Sequence, residues 1–364
     1  MVVSVSLFAL LGTMATSMYY PALPTVPSDL GVSITDVNLS ATTFMILQGI
    51  APTFVGNFSD SSGRRLSYIV CFSIFLIANT SLALQNTYAG LLALRCVQSA
   101  GAGGLIPLAS GVIADIVEPA ERNKHQQEVS MELKPMSFSN PFSILKVVLD
   151  KEGLVVLAGN GVINILIASV NTGLPPLMTS LAVCTIITGR LMDRAYRKTA
   201  AKHSIPLKFA RRDPNMPVEH TRLQVTWPHI AATITGLPGY GWTLNKPTHL
   251  AGPMLFLFII GYATTAVAQA LNALMVDLFP QDAATASAAN NLIRCGLGAV
   301  ITAAIQPLTH AVQPGWTYAI CAGFLLIIVA LFIALTRFGP DWRAGRMKRD
   351  TTDQGEGRNI VLVI

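Results

Sequence analysis

The feature that most constrains this chain is a series of long apolar runs from which charged residues are almost absent. A helix that crosses a membrane needs about 20 apolar residues in succession. Ten runs approach or reach that length: Val2–Tyr20, Val37–Phe58, Leu66–Leu84, Tyr88–Ile106, Leu154–Asn171, Leu177–Gly189, Val225–Leu244, Pro253–Leu278, Ala286–Ile305 and Tyr318–Leu335. Only 12% of the 364 residues are charged, about half the share of an ordinary soluble domain. The runs predict an all-α, polytopic membrane protein with about ten transmembrane helices.

The distribution of lysine and arginine between the runs predicts how the helices are oriented. Loops without these residues, such as 21–36 and 85–87, alternate with loops that carry several of them. Because cytoplasmic loops are enriched in lysine and arginine, both termini, the central polar segment and the loops around Asp60 and Asp193 are predicted to be cytoplasmic. The run Leu177–Gly189 is short for a span, and this alternation is the reason for counting it as one.

The central polar segment separates two halves of the chain. The resulting prediction has four regions: an N-terminal transmembrane bundle at residues 1–120, a cytoplasmic linker at 121–152, a C-terminal transmembrane bundle at 153–338 and a cytoplasmic tail at 339–364. From Asp350 on, the tail is polar with a short apolar end, and no regular structure is predicted for it.

The linker contains one candidate helix. Asn140 and Pro141 form an N-cap and first-turn pair, and Phe142, Leu145 and Val148 then recur at helical spacing. Two interpretations of this segment are open. It is either a short helix that lies on the membrane surface or an ordinary solvated linker helix.

A charged sequence of fixed spacing occurs once in each half. GNFSDSSGRR (Gly56–Arg65) and GRLMDRAYRK (Gly189–Lys198) both place Asp four residues after Gly and a pair of bases from four residues after Asp. This partial repeat indicates two related halves, each with a charged turn. A carboxylate near a helix start is favoured by the helix dipole, and an arginine pair can hold it or lipid phosphates. The turns are either a cytoplasmic latch between helix bundles or merely determinants of orientation.

Arg95 lies in LLALRCVQSAGAGG, several residues inside an otherwise apolar run. A charge inside the membrane costs at least about 2.5 kcal/mol on insertion scales, so it normally faces a protein interior, a partner or water. Gln98 follows one turn later, and Gly101, Gly103 and Gly104 allow another helix to come close. Arg95 is either a proton- or anion-linked group that lines a central cavity or a snorkelling arginine that sets orientation.

The segment ALNALMVDLFPQDAATASAANNLIRC predicts a helix, a turn and a second helix that carries several polar side chains. Asn290 and Arg294 are four residues apart and therefore share a face of the second helix. These two residues are the candidates for a cavity or gate in the second half. Asn160, Asn164 and Gln48 are further polar residues within spans, and each alone is more typical of hydrogen bonding between helices than of substrate contact.

Several functional classes have no signature in this sequence. GxxxxGK[ST] is absent, which disfavours ATP-driven transport, and HExxH and GxSxG are absent too. The five cysteines lie in apolar runs without CxxC spacing, and the six histidines lack ligand spacing. The bases fall in a few short loops instead of one stripe, which argues against a nucleic-acid partner. We predict no enzyme, catalytic residue, cofactor, metal, ATP or nucleic acid.

Together these motifs resemble the major facilitator superfamily. GNFSDSSGRR is similar to the cytoplasmic loop signature between the second and third helices of that family. LLALRCVQSAGAG is similar to its fourth-helix motif, with Arg95, Gln98 and Gly101 at the matching positions. YYPALP (Tyr19–Pro24) and the segment that ends in NNLIRC resemble the fungal drug:proton antiporter 1 group of twelve-helix transporters. The resemblance covers nearly the whole chain, to about Trp342.

The resemblance implies two six-helix bundles that rock about a site at the membrane midplane, with proton-coupled export of drugs or organic acids. Relatives in this group export polyamines, xenobiotics, or carboxylates such as citrate and itaconate. For this chain the resemblance implies a fungal plasma-membrane antiporter for drug efflux or acid export. Its partners are a small-molecule substrate, protons and membrane lipids.

The chain departs from this family in its number of helices. Four predicted spans precede the central segment, where the family has six. The fifth and sixth helices have no match after ADIVEPAERNK (Ala114–Lys124), and the glycine–proline motif of the fifth is missing too, because Gly252-Pro253 lies in the wrong half. The eighth helix is shortened between Pro176 and Gly189. The prediction is ten helices in place of twelve, with an incomplete N-terminal bundle.

The resemblance and the spacing together assign three groups of site residues: Gly56, Asp60, Gly63, Arg64 and Arg65 to the cytoplasmic latch, Gly189, Asp193 and Arg197 to its second-half counterpart, and Arg95, Gln98, Asn290 and Arg294 to coupling and the cavity. A rival hypothesis is a non-transporting remnant of such a transporter, acting if at all through association with other membrane proteins. A membrane receptor or sensor is a third hypothesis, supported only by the polar centre and tail.

Overall fold

The computed structural model describes residues 26–27, 31–117, 147–170, 174–204, 216–245, 249, 251–279 and 283–361. The regular elements in these ranges are helices: α1 (Ile34–Ser62), α2 (Arg64–Leu84), α3 (Tyr88–Val117), α4 (Lys151–Val170), α5 (Leu174–Lys202), α6 (Val218–Gln224), α7 (Trp227–Asn245), α8 (Ala251–Leu278), α9 (Ala283–Val312) and α10 (Pro314–Val361). The all-α prediction is confirmed. The predicted span Val2–Tyr20 lies outside the described residues, as does most of the predicted linker helix from Asn140.

Within the described residues, five helical stretches are long and apolar enough to cross a membrane: Arg64–Leu84, Lys151–Ala168, Ala251–Leu278, Thr285–Thr309 and Pro314–Arg346. They overlap the third, fifth, eighth, ninth and tenth predicted runs. On α2, the side chains of Ile69, Leu76 and Ile77 are more than half exposed, which is expected of a helix that faces lipid. The total of ten spans stays a prediction.

The described helices pack as two groups that meet at α9. In the first group, α3 packs against both α1 and α2. In the second, α8 packs against α4, α5 and α7, and α10 packs against α4 and α7. α9 contacts α1 on one side and α4 on the other. It therefore joins the part of the chain before residue 118 to the part after residue 147.

Two glycines let α3 approach both of its neighbours. A Cβ atom placed on Gly101 would lie 2.8 Å from the backbone oxygen of Cys71 and 2.8 Å from the backbone nitrogen of Phe75, both on α2. A Cβ atom on Gly103 would lie 3.0 Å from the backbone oxygen of Gln48 on α1. Small residues permit such backbone approach between membrane helices. The glycine-rich part of α3 thus sets the spacing of the first group.

A single residue, Gly63, forms the turn between α1 and α2. Its φ is 87° and its ψ is 150°, a combination that is essentially restricted to glycine. The Gly63 N–H donates to the Ser59 carbonyl at 3.1 Å, and the Gly63 carbonyl accepts from the Ser67 N–H at 3.3 Å. Gly63 therefore ends one helix and starts the next without an intervening loop.

The last helix is longer than the sequence predicts. α10 runs without a break from Pro314 to Val361, past the end of the apolar run at Leu335 and through the predicted boundary at residue 338. Buried ion pairs hold it where it leaves the apolar run, and those pairs involve residues distant in sequence. A single sequence does not reveal such pairs. The prediction of no regular structure from Asp350 on is wrong as far as Val361.

These ion pairs join α10 to the start of α4 and to α6. The Arg346 Nη1 atom lies 2.7 Å from Asp150 Oδ2, and its Nη2 atom lies 2.6 Å from Glu152 Oε2. One turn earlier, Arg343 Nε lies 3.4 Å from Glu219 Oε1 on α6. Glu152 and Glu219 are buried, so each carboxylate depends on its arginine for compensation of charge.

The geometry of the α1–α2 turn predicts that Gly63→Ala destabilises the protein. An alanine in this conformation costs about 1–3 kcal/mol. We expect a lower melting temperature for the purified variant in detergent. The matched control is Gly296→Ala within α9, where a Cβ atom meets nothing within 4 Å, so stability is expected to be unchanged or slightly higher. Equal effects of the two substitutions would contradict the assigned turn.

The buried ion pairs predict that Arg346→Met destabilises the protein by about 3 kcal/mol, because two carboxylates lose their compensating charge. The quantity to measure is the free energy of unfolding in mixed micelles. Adding Asp150→Asn and Glu152→Gln to Arg346→Met is expected to recover part of the loss, since the excess negative charge is then removed. Arg337→Met, at an exposed position on α10, is the control. Failure of the added substitutions to recover stability would refute the ion-pair explanation.

Candidate functional site

Arg95 lies inside the first group of helices and is 3% exposed. Its Nη1 atom donates to Gln98 Oε1 at 2.7 Å, and its guanidinium carbon lies 5.2 Å from the centre of the Phe44 ring on α1. The Gln98 Nε2 atom donates to Asn79 Oδ1 on α2 at 2.8 Å. Asn79 Nδ2 then donates to the Phe75 carbonyl at 2.7 Å. A chain of hydrogen bonds therefore leads from Arg95 across α3 to α2.

Arg95 sets the donor-to-acceptor direction of this series of hydrogen bonds. A guanidinium group can only donate, so Gln98 must turn its carbonyl oxygen towards Arg95 and its NH₂ group away. Asn79 must then present its own oxygen to that NH₂ group. The resulting hydrogen bonds all point the same way, from Arg95 to the backbone of α2. Asn79 was not among the predicted site residues, and its only signal in the sequence is an amide within an apolar run.

Three asparagines meet in the second group of helices. Asn160 on α4 donates from Nδ2 to Asn290 Oδ1 at 2.6 Å and to Asn272 Oδ1 at 2.7 Å. Asn290 on α9 donates from Nδ2 to Asn272 Oδ1 at 2.6 Å. This cluster, the asparagine triad, connects α4, α8 and α9. Asn160 Oδ1 is buried without a hydrogen-bond partner among the described residues.

Arg294 lies one turn along α9 from Asn290, at the junction of the two groups. Its Nη2 atom donates to Asn291 Oδ1 at 2.6 Å. Asn291 Nδ2 donates to the Gln48 carbonyl on α1 at 2.8 Å, and Asn164 Nδ2 on α4 donates to the Arg294 carbonyl at 2.6 Å. The backbone of α9 is thus hydrogen-bonded to α4, and an α9 side chain is hydrogen-bonded to α1. Arg294 itself is half-buried.

The predicted cavity residues fall on two sides of α1. Arg95 and Gln98 lie on the side where α3 packs, beside Phe44. Arg294 and Asn290 lie on α9, which hydrogen-bonds to α1 one turn further along, at Gln48. The structure therefore does not bring the two pairs into one hydrogen-bonded cluster. Their roles in coupling and in the cavity stay predictions.

The first latch sequence spans the end of α1 and the start of α2. Arg64 Nη1 donates to Ser59 Oγ at 2.7 Å across the Gly63 turn, and Arg65 is exposed. These arginines, Ser62, Gly63, Leu66 and Ile69 line a shallow surface cavity of about 430 Å³. Gly56 and Asp60 lie in α1, and the placement of the Asp60 carboxylate is outside the described side chains. The latch role stays a prediction.

The second copy of the sequence is not a turn. Gly189, Asp193 and Arg197 lie within the uninterrupted helix α5, and the last two are exposed. The prediction of a charged turn in each half is wrong for this copy. Tyr196 occupies the position that corresponds to Gly63, and a tyrosine does not adopt the φ that the turn needs. The Tyr196 ring instead packs under Arg222, with 5.1 Å from the guanidinium carbon to the ring centre.

Arg222 extends this contact to an acid at the end of α8. Its Nε and Nη2 atoms lie 2.9 and 2.7 Å from Asp277 Oδ2. Asp277 is buried, so the pair compensates a charge at the end of a membrane-length helix. No group of three or more histidine, cysteine or acidic side chains in the described residues is arranged to hold a metal ion.

The chain is similar to known membrane transporters. A family model described as Major Facilitator Superfamily matches residues 5–126. The MFS-type transporter phiD of Fungal sp. is 30% identical, over 94% of this chain and 68% of that protein. The MFS-type transporter tstD of Talaromyces stipitatus is 28% identical, over 94% and 82%. Citrate exporter 1 of Aspergillus niger is 28% identical, over 96% and 87%.

Two further findings concern length and solved structures. The three alignments extend over 452, 455 and 459 residues, which is more than the 364 residues of this chain. Each relative therefore carries internal segments that have no counterpart here. Among solved structures, the human organic anion transporter MFSD10 (TETRAN) is 13% identical, with a TM-score of 0.47 over 90% of this chain and 95% of that chain.

The asparagine triad predicts an energetic coupling between α4 and α9. In a double-mutant cycle, Asn160→Leu and Asn290→Leu are expected to couple by on the order of 1 kcal/mol, typical of hydrogen bonds between membrane helices. Unfolding in mixed micelles gives the four free energies. The matched pair Asn160→Leu with Thr80→Ala, an exposed position on α2, is expected to be additive within about 0.5 kcal/mol. A coupling no larger than that of this pair would refute the contact.

Proposed function

The chain belongs to the major facilitator superfamily, and we propose from this that it exports a small organic molecule across the plasma membrane in exchange for protons. The family membership and the apolar helices make it an integral, multi-pass membrane protein. Named relatives are transporters, among them a citrate exporter. The proposal involves no enzymatic step, cofactor or ATP.

One observation carries the proposal: a permanently charged arginine is kept inside a membrane-length helix bundle. A charge there is costly and is typical of substrate or ion pathways. Arg95 is almost completely buried, and Gln98 and Asn79 fix its orientation through directed hydrogen bonds. A snorkelling arginine would instead extend to the membrane surface. Because an arginine keeps its proton, the buried geometry supports an electrostatic coupling role for Arg95 over that alternative, and not the carrying of a proton.

We assign the two sets of latch residues to the movement of the two bundles. Gly56, Asp60, Gly63, Arg64 and Arg65 form the proposed cytoplasmic latch at the α1–α2 turn. Gly63 joins α1 to α2 without a loop, and Arg64 donates a hydrogen bond to Ser59. In the second half, Gly189 and the exposed Asp193 and Arg197 form the proposed second latch, which lies within the helix α5.

A second candidate is a remnant that does not transport. It is favoured by the length of the alignments, because the relatives carry internal segments that this chain lacks. Such a remnant would act only by associating with other membrane proteins. Efflux from proteoliposomes that contain only the purified chain would exclude it, whereas retention in the endoplasmic reticulum together with no efflux would exclude the transporter.

The proposed coupling role predicts that Arg95→Ala abolishes efflux while the protein still reaches the cell surface. The measurement is efflux of labelled citrate from preloaded cells, normalised to surface protein. The control is Arg337→Ala, which removes the same charge from an exposed position on α10 and is expected to leave efflux unchanged. Wild-type efflux by the Arg95→Ala protein would disprove the coupling role.

A further inference from the structure

Charged residues are rare within the ten apolar runs, and their signs are unequal. The runs contain only three lysine, arginine, aspartate or glutamate residues: Arg95, Asp277 and Arg294. Asp277 is the next-to-last residue of its run and is paired with Arg222 at 2.7 Å. The deeper parts of the runs therefore carry two positive charges and no carboxylate. An interior of this kind is electrostatically complementary to an anion and repels a cation.

The two arginines differ in how far their side chains are exposed. Arg95 is 3% exposed and is enclosed by Gln98 and Phe44. Arg294 is half-buried, and its only polar contacts among the described residues run from Nη2, to Asn291 Oδ1 at 2.6 Å and to the thiol of Cys295 at 3.7 Å. Its Nε and Nη1 donors have no acceptor in the described part of the chain. An arginine cannot lose its charge in a protein.

Arg294 lies on α9 between the contacts that α9 makes with the two groups of helices. On one side of it, Asn291 hydrogen-bonds to the α1 backbone, and on the other, Asn164 of α4 hydrogen-bonds to the Arg294 carbonyl. One turn further along α9, a Cβ atom on Gly298 would lie 2.6 Å from the side chain of Met45 and 3.1 Å from that of Asn164. Arg294 thus lies along the face of α9 that both groups border.

From these contacts we propose that Arg294 is the ligand-binding arginine and that the substrate is an organic anion bearing a carboxylate. A guanidinium group presents a planar fork of donors that matches a carboxylate in two parallel hydrogen bonds. The bond to Asn291 holds one arm of the fork and leaves the other donors for the ligand. This inference rests on the proposed transport function for its biological meaning, but the binding step can be tested separately.

The first experiment measures binding to the purified full chain in detergent. The probes are citrate and benzoate, with benzamide as the neutral counterpart of benzoate and choline as a cation, and the readout is the ligand-dependent shift of the melting temperature. The wild-type protein is expected to bind both carboxylates and neither benzamide nor choline. Binding of benzamide or choline as strong as that of benzoate, or no binding of either carboxylate, would overturn the proposal.

Substitutions of Arg294 test whether this residue binds the carboxylate. Arg294→Gln is expected to weaken carboxylate binding by about 30-fold or more, because the charged partner of the carboxylate is lost. Arg294→Lys keeps the charge without the planar fork of donors, so its carboxylate affinity is expected to lie between those of the wild type and Arg294→Gln. Arg337→Gln, at an exposed position, is the charge-matched control and is expected to bind as the wild type does. Unchanged binding by a folded Arg294→Gln or Arg294→Lys protein would refute the assignment, and together the two variants allow for one failing to fold.

Counterflow in proteoliposomes, measured with labelled citrate and with labelled choline, separates this inference from the proposed function. Carboxylate binding that depends on Arg294, without any transport, would leave the anion site standing and reject the transporter. Transport of choline without carboxylate binding would leave the transporter standing and reject the anion site. Transport of citrate by the wild type and its loss in Arg294→Gln would support both.

Discussion

The cost of holding an arginine inside an apolar helix bundle is the constraint on which the first group of helices depends. Arg95 cannot release its proton, so its neighbours must supply acceptors. Gln98 supplies one from the same helix, and its own NH₂ group donates to Asn79. This series of hydrogen bonds needs α2 and α3 to lie close together, and Gly101 makes that approach possible. The packing of α2 against α3 and the hydrogen bonding of Arg95 therefore depend on each other.

The second group of helices meets the same constraint in two different ways. Near the ends of the helices, where water is close, charges are compensated by charges, as in Arg346 with Asp150 and Arg222 with Asp277. Deeper inside, the asparagine triad joins α4, α8 and α9 with neutral amides. An amide costs less to bury than an ion, so it can hold helices together without a buried counter-ion. Arg294 stands out because it has no charged partner among the described side chains.

The sequence predicted what depends on local pattern and missed what depends on distant partners. Apolar runs identified the helices, and the spacing of Arg95 and Gln98 identified a pair that does hydrogen-bond. The charges at Asp60 and Asp193 suggested equal turns, but the turn depends on Gly63, whose counterpart is Tyr196. Charge spacing is visible in a repeat, whereas the backbone requirement of one glycine is easily overlooked. The contact between Gln98 and Asn79 spans two helices, and no local pattern encodes it.

The position of α9 explains why a ligand at Arg294 could affect the whole molecule. α9 packs against α1 of the first group and α4 of the second. The contact with α1 is tight, since a Cβ atom on Gly49 would lie 3.0 Å from the Cβ of Cys295. A ligand can shift a conformational equilibrium only by binding one state better than the other. A ligand beside Arg294 would lie next to the contacts of α9 with α1 and with α4. Any relative movement of α1 and α4 would therefore change the contacts of that ligand.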